Sequence, residues 1–275
     1  MKHRDRSKTP THETPIHKTL TRREVQHLYD LLYQLTFREL KLRYNRSVLG
    51  IVWTLLKPLL QLLIFSFIFR AILKIDFPHY ASSVFVGLLV WTWFQSSLTE
   101  SAGIINANAS LIRQPGFPSL ILPVVVTTVD MIHFLLALPV LVIFLWIDGV
   151  ALQPLILAVP ILMSLQFGLT VGLSYVLAAL NVTFYDTKYT VGILLQMMFY
   201  ATPVFYEATT IPPNYEFWYW LNPMAHLVTA FRALLIQGNA PQWWSLGVIG
   251  GCVLGLLRLG YHFFKAQSVH FAEEI

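Results

Sequence analysis

The run Phe37-Arg-Glu-Leu-Lys-Leu-Arg-Tyr-Asn-Arg-Ser-Val-Leu-Gly-Ile-Val-Trp-Thr-Leu-Leu-Lys-Pro58 passes from a basic, amphipathic segment into the first long apolar stretch, with no loop-forming composition between them. Here the chain leaves water and enters lipid. Arg38, Lys41, Arg43 and Arg46 fall where anionic headgroups lie on the cytoplasmic side, and Trp53 has the amphipathic ring favoured at that boundary. The segment therefore sets topology. It also supplies a candidate headgroup site with Arg38, Lys41, Arg43 and Arg46 as its cations.

Composition agrees with this reading. Of 275 residues, 56% are hydrophobic and 12% charged, and the mean hydropathy is +0.59. That is more apolar surface than one soluble core can hide, so an all-α integral membrane protein is expected. The net charge of +5 is uneven: most Lys and Arg precede Val48, and residues 189–231 contain neither. A basic patch can serve nucleic acid, but asymmetry beside apolar spans is the positive-inside pattern, so membrane lipid and not nucleic acid is the expected partner. The single cysteine, Cys252, has no disulfide partner in the chain and sits in an apolar run, where packing is its expected role. The first ~47 residues are polar and contain no apolar h-region, so no cleavable signal peptide is expected.

Residues 1–20, rich in Lys, Arg, His, Thr and Pro, read as a disordered cytoplasmic tail. Thr21-Arg-Arg-Glu24 has the form of a capping box that opens a helix over 21–46. Leu28, Leu31, Leu32 and Leu35 share one face of it and Gln26, Asp30, Gln34 and Lys41 the other, the pattern of a helix lying in the membrane interface. A six-span domain is expected over 47–275. Crossings need ~20 mainly apolar residues. They are expected near Trp53–Leu73, Ala81–Ala109, Leu120–Ile147, Leu152–Leu180, Tyr189–Phe205 and Trp243–Phe264. An even number returns the C-terminus to the side of the N-terminus. Between the last two, 207–238 is too long and structured for a plain loop. Asn222-Pro223 reads as a helix N-cap and Gln237-Gly238 as a stop. The helix between them is too short to cross, so a re-entrant outer element is expected, with Asn222, His226 and Arg232 as its candidate gate residues.

The residues Arg38, Glu39, Leu40, Lys41, Arg43, Tyr44, Ser47, Leu49, Gly50, Trp53, Leu56 and Pro58 form a pattern that resembles the N-terminal signature of permease subunits of bacterial type-2 ABC exporters of polysaccharides: O-antigen, capsule and teichoic acid. Leu111-Ile-Arg-Gln-Pro-Gly-Phe-Pro118, continued by Ile121, Leu122 and Pro123, is similar to that family's connector. Leu180, Asn181, Asp186 and Tyr189 are similar to its cytoplasmic turn. The resemblance implies a homodimer enclosing a conduit lined by the first and fifth spans, seated on two copies of an ATPase that carries the ATP and Mg. No cofactor is expected on this chain, and no GxxxxGK[ST] loop is present in it. Leu111, Ile112, Arg113 and Phe117 would seat the ATPase. The substrate would be a lipid-linked polysaccharide, and the location the bacterial inner (plasma) membrane, multi-pass, with both termini cytoplasmic.

Glu100, Asp130 and His133 are the ionisable groups deepest in the expected spans. The three-residue spacing of Asp130 and His133 puts them on one helix face, where polar contacts between helices, or a hydrated path, outweigh metal or catalysis. Trp53, Phe199, Tyr200, Phe205, Tyr206, Trp218 and Trp220 are candidate conduit aromatics. The same rings also fit an interfacial belt. Two rivals share some of these features: a type-2 ABC exporter of small hydrophobic compounds, and a polyprenyl-phosphate glycosyl- or phosphotransferase. The latter would need a cluster of acidic metal-binding residues on a cytoplasmic face, which Asp186 alone does not supply.

Overall fold

The computed structural model describes residues 22–44, 52–74, 78–151 and 153–275. The tail 1–20, Thr21 as a capping residue, Arg46, and Ser47, Leu49 and Gly50 of the basic signature lie outside the described residues. Among those described, the regular elements are helices and no strand occurs. We label them α1 (Arg22–Tyr44), α2 (Val52–Ile72), α3 (Tyr80–Ala107), α4 (Ile121–Ile147), α5 (Pro154–Thr183), α6 (Thr187–Ala201), α7 (Glu216–Leu221), α8 (Pro223–Arg232) and α9 (Trp243–Gln267). Short turns, Ala109–Ile112 and Phe271–Glu274, lie between α3 and α4 and after α9.

Five helices, α2, α3, α4, α5 and α9, are long and apolar enough to cross a membrane. The stretch expected as the remaining crossing, Tyr189–Phe205, forms a shorter helix. α6 has 15 residues, about 22 Å at ~1.5 Å per residue, against a hydrocarbon core of ~30 Å. Pro203 explains the stop. The residue before a proline is driven out of the helical region, and Thr202 is extended at φ −98°, ψ 139°. Its hydroxyl donates to the Met198 carbonyl at 2.7 Å, closing the last turn. The chain goes on through the non-helical turn 202–206.

Burial ranks the helices. In its most apolar stretch α3 is 78% buried and α2 only 11%. α3 is therefore the central post, and its Phe85, Trp91, Trp93 and Phe94 are among the largest fully buried side chains. α2 stands at the periphery. At one end of the bundle Ser82 of α3 donates from its N–H and its hydroxyl to the Asp148 carboxylate after α4, at 3.2 and 2.6 Å. α7 and α8 lie at that end. At the other, α1 lays Leu31, Leu32, Leu35 and Leu40 against a cluster that includes Ile105, Ile121 and Leu122.

α5 and α9 approach closely at glycines. A Cβ added at Gly260 would sit 2.5 Å from the Gly172 carbonyl oxygen, and one at Gly168 2.7 Å from Val253 Cγ1. This is the small-residue close approach that stabilises helix pairs in lipid, where van der Waals packing replaces the hydrophobic effect. Gly260→Leu is expected to cost about 2 kcal/mol or more by forcing the backbones apart, read as a lower melting temperature in detergent. An unchanged melting curve would show that the pair can slide.

Candidate functional site

Two polar arrangements lie within this apolar frame, one near each end. The first is built around Arg43, in the last turn of α1. Its guanidinium bonds to Glu100 of α3 and reaches Asp130 of α4 at 3.4 Å, with Glu39 one turn back at 3.7 Å. Asp130 is buried and also accepts from the Ser97 hydroxyl at 2.8 Å. His133, one turn along α4, has Nδ1 3.5 Å from Asp130 and Nε2 2.5 Å from the Tyr44 hydroxyl. Burial pushes the Tyr44 phenol above its ordinary range, partly opposed by the Arg43 charge. One cation and three carboxylates thus clamp the end of α1 onto α3 and α4. Of the four expected headgroup cations, Arg43 is committed to this network, while Arg38 and Lys41 are exposed. Among the described residues no group of three or more His, Cys, Asp or Glu is arranged to hold a metal.

Beside this cluster opens a cavity of about 280 Å³ that reaches Trp53, Thr54 and Lys57 of α2, Thr92 and Ser96 of α3, and His133. Its lining mixes apolar Leu89, Trp93, Phe134 and Ala137 with the cations Arg43 and Lys57 and the Asp130 carboxylate. Trp53 and Lys57 both line this cavity.

The second arrangement is at the α7–α8 end. Asn222 caps α8, its Oδ1 accepting from the Met224 N–H at 3.0 Å while its amide donates to the Thr202 hydroxyl at 2.9 Å. The expected cap thus also splices α8 to the end of α6. α8 continues into a π-helical turn, Ala233–Gln237. Gly238 ends it at φ +63°, a left-handed conformation that glycine adopts without strain. Arg232 is 5% exposed. It donates to three backbone carbonyls: Nε to Ser83 at 2.9 Å, Nη1 to Tyr206 at 3.0 Å and Nη2 to Val204 at 2.6 Å. A cation is thereby held by carbonyl dipoles, an arrangement the sequence did not reveal. Gly87 makes the room for it, since a Cβ there would lie 2.7 Å from the Val204 oxygen and 3.0 Å from the guanidinium. His226 contacts the Trp220 carbonyl at 3.0 Å and packs on both Trp220 and Tyr219.

The aromatic residues divide. Phe199 is buried, stacks with Phe65 and meets Phe205 at a tilt, joined by Phe69, so these rings fasten α2 to α6 and the 202–206 turn. Tyr200, Trp218 and Trp220 are exposed, and Tyr206 is half-buried. In the connector, Ile112 and Phe117 pack into the cluster that holds Phe264 and Phe271. Arg113 donates to the Ile275 carbonyl, so the chain's last turn lies against the connector.

The family described as ABC-2 type transporter matches residues 30–236. The O-antigen export system permease protein RfbA of Myxococcus xanthus is 33% identical over 255 residues, which cover 92% of this chain and 98% of that protein. A protein of the same name from Klebsiella pneumoniae is 32% identical over 249 residues, covering 90% and 95%. The polysialic acid transport protein KpsM of Escherichia coli is 23% identical over 237 residues, covering 85% and 92%.

Proposed function

This chain belongs to the ABC-2 type transporter family, and from that premise we propose that it is the permease subunit of an ATP-driven exporter of lipid-linked polysaccharide of the O-antigen or capsule type. The observation that carries the reading is the end-to-end likeness to an O-antigen export permease, at 33% identity across 98% of that protein. The permease itself makes and breaks no covalent bond. ATP and Mg are handled by two copies of a separate ATPase, seated on the connector around Arg113, in the inner membrane with both termini cytoplasmic.

The active unit is a homodimer. Its support is the peripheral, 11%-buried α2 together with the apolar face of α6, where Tyr189, Ile193, Leu194 and Met197 are exposed. A second copy would cover these surfaces and enclose a conduit between them, as the resemblance implies for the first and fifth spans. The lipid diphosphate would approach from the α1 end. There it meets Arg38 and Lys41, which are exposed, and the 280 Å³ cavity with Lys57 at its wall.

The test is co-purification with a co-expressed candidate ATPase subunit, followed by ATPase assays with and without lipid-linked glycan. Stimulation by the glycan is expected. Arg38→Gln together with Lys41→Gln is expected to raise the half-saturating glycan concentration about three- to tenfold, the effect of about 0.7 to 1.4 kcal/mol of lost contact at an exposed site. A permease that assembles but is never stimulated would sink the exporter reading. Normal stimulation of the double variant would remove these two cations from the entry site.

A further inference from the structure

We propose that the cavity between α7, α8 and the first turn of α9 is a binding site for an uncharged glycosyl unit. Only the source of that ligand rests on the exporter reading. The cavity itself has about 410 Å³, within the ~300–1,000 Å³ of ordinary small-molecule sites. One wall is aromatic. Tyr219 and Trp220 come from α7 and His226 from α8, with the His226 ring 4.9 Å from Trp220 and 5.7 Å from Tyr219. The contact of His226 Nε2 with the Trp220 carbonyl and the 2.9 Å bond between the Tyr219 and Thr229 hydroxyls hold this wall in place before any ligand arrives. The lining also includes the exposed amide residues Gln237, Asn239 and Gln242.

The chemistry of the walls selects the class of ligand. Among the described residues no Asp, Glu, Lys or Arg lines the cavity, so an anion would be desolvated there without a counter-charge. An acyl chain would leave the amides without partners. The amides of Gln237 and Asn239 make no hydrogen bond among the described residues, so they are free to bond a ligand. Each amide both donates and accepts, which suits hydroxyl groups that also do both, while a sugar ring's C–H face lies on an aromatic plane. Gln242 directly precedes Trp243 and Trp244, exposed at the start of a span. Such residues mark the headgroup level, where water reaches the site. Tyr219 also borders a second cavity of about 390 Å³ that reaches Met198 and Ala201 of α6. Tyr219 is thus shared by the two cavities.

Saturation-transfer NMR on the full chain in lipid nanodiscs tests this, with methyl glycosides of neutral hexoses as probes and a methyl glycoside of a uronic acid as the charged control. Transfer to the ring protons of at least one neutral glycoside is expected, with the uronate at least about tenfold weaker. Asn239→Ala with Gln242→Ala is expected to weaken the neutral glycoside about tenfold, the effect of two lost hydrogen bonds, at an unchanged melting temperature. Any of four results would overturn the proposal: no neutral glycoside responds, the uronate binds as well, the double variant binds like the parent, or saturation passes only to lipid methylene protons. Failure of the exporter reading would show separately, as a missing ATPase partner, and would leave the binding result standing.

Discussion

Arg232→Leu is expected to lower the melting temperature in detergent by about 10 °C, the equivalent of about 3 to 5 kcal/mol for a chain of this size. The Leu side chain approximates the buried volume but donates nothing. Ser83 lies in α3, where its carbonyl already takes part in the helix ladder. Val204 and Tyr206 lie in the turn after α6, and Arg232 is their hydrogen-bond donor. The Val204 carbonyl would be left unsatisfied in a buried setting, where such a loss is largest, and the carbonyl of half-buried Tyr206 would lose the same donor. The turn 202–206 should then loosen, and with it the splice between Asn222 and Thr202. Arg232→Lys, which keeps the charge but not the three-way fork, should fall between the two. A melting temperature within a degree or two of the parent for Arg232→Leu would mean that the carbonyls find water, and that the α8 end is wetter than its packing indicates.

Arg43→Gln is the second large effect, about 3 kcal/mol of destabilisation. Removing one partner of a buried pair costs more than the pair itself contributes, and Asp130, 4% exposed, is the carboxylate left behind. Glu100 is 40% exposed and can turn to water, so it contributes less. The discriminating variant is the neutral combination Arg43→Gln, Glu100→Gln and Asp130→Asn. If the cluster acts as an ion-pair clamp, this triple variant should recover most of the melting temperature lost by the single change, because no uncompensated charge remains. If it melts as low as Arg43→Gln, the guanidinium acts by shape and not by charge.

What the sequence made legible was whatever is local. Asn222-Pro223 and Gly238 marked both ends of α8 and its π-helical extension, because capping and left-handed stops are decided within a few residues. The spacing of Asp130 and His133 announced a shared face for the same reason. Their cationic partner did not show, since Arg43 lies 87 residues away from Asp130 and no periodicity links the two. From sequence alone a cation next to a span reads as a headgroup contact, and the carboxylates that Arg43 meets on other helices become visible only in the fold. Arg232 and Gly87 form the same kind of pair, meaningful only once α3 and α8 are side by side. The length of the stretch before Phe205 is a different case. Pro203 was in view, and its effect on Thr202 could have shortened the expected crossing without any structure.

The glycine seam between α5 and α9 has a mechanical consequence. With the Gly172 carbonyl lodged against Gly260, neither helix can shear along the other without lifting it away. Interlocked backbones of this kind move as one stiff plank. Any relative movement within the bundle then falls outside this pair, at side-chain contacts such as the Phe65, Phe69, Phe199 and Phe205 rings that join α2 to α6 and the 202–206 turn.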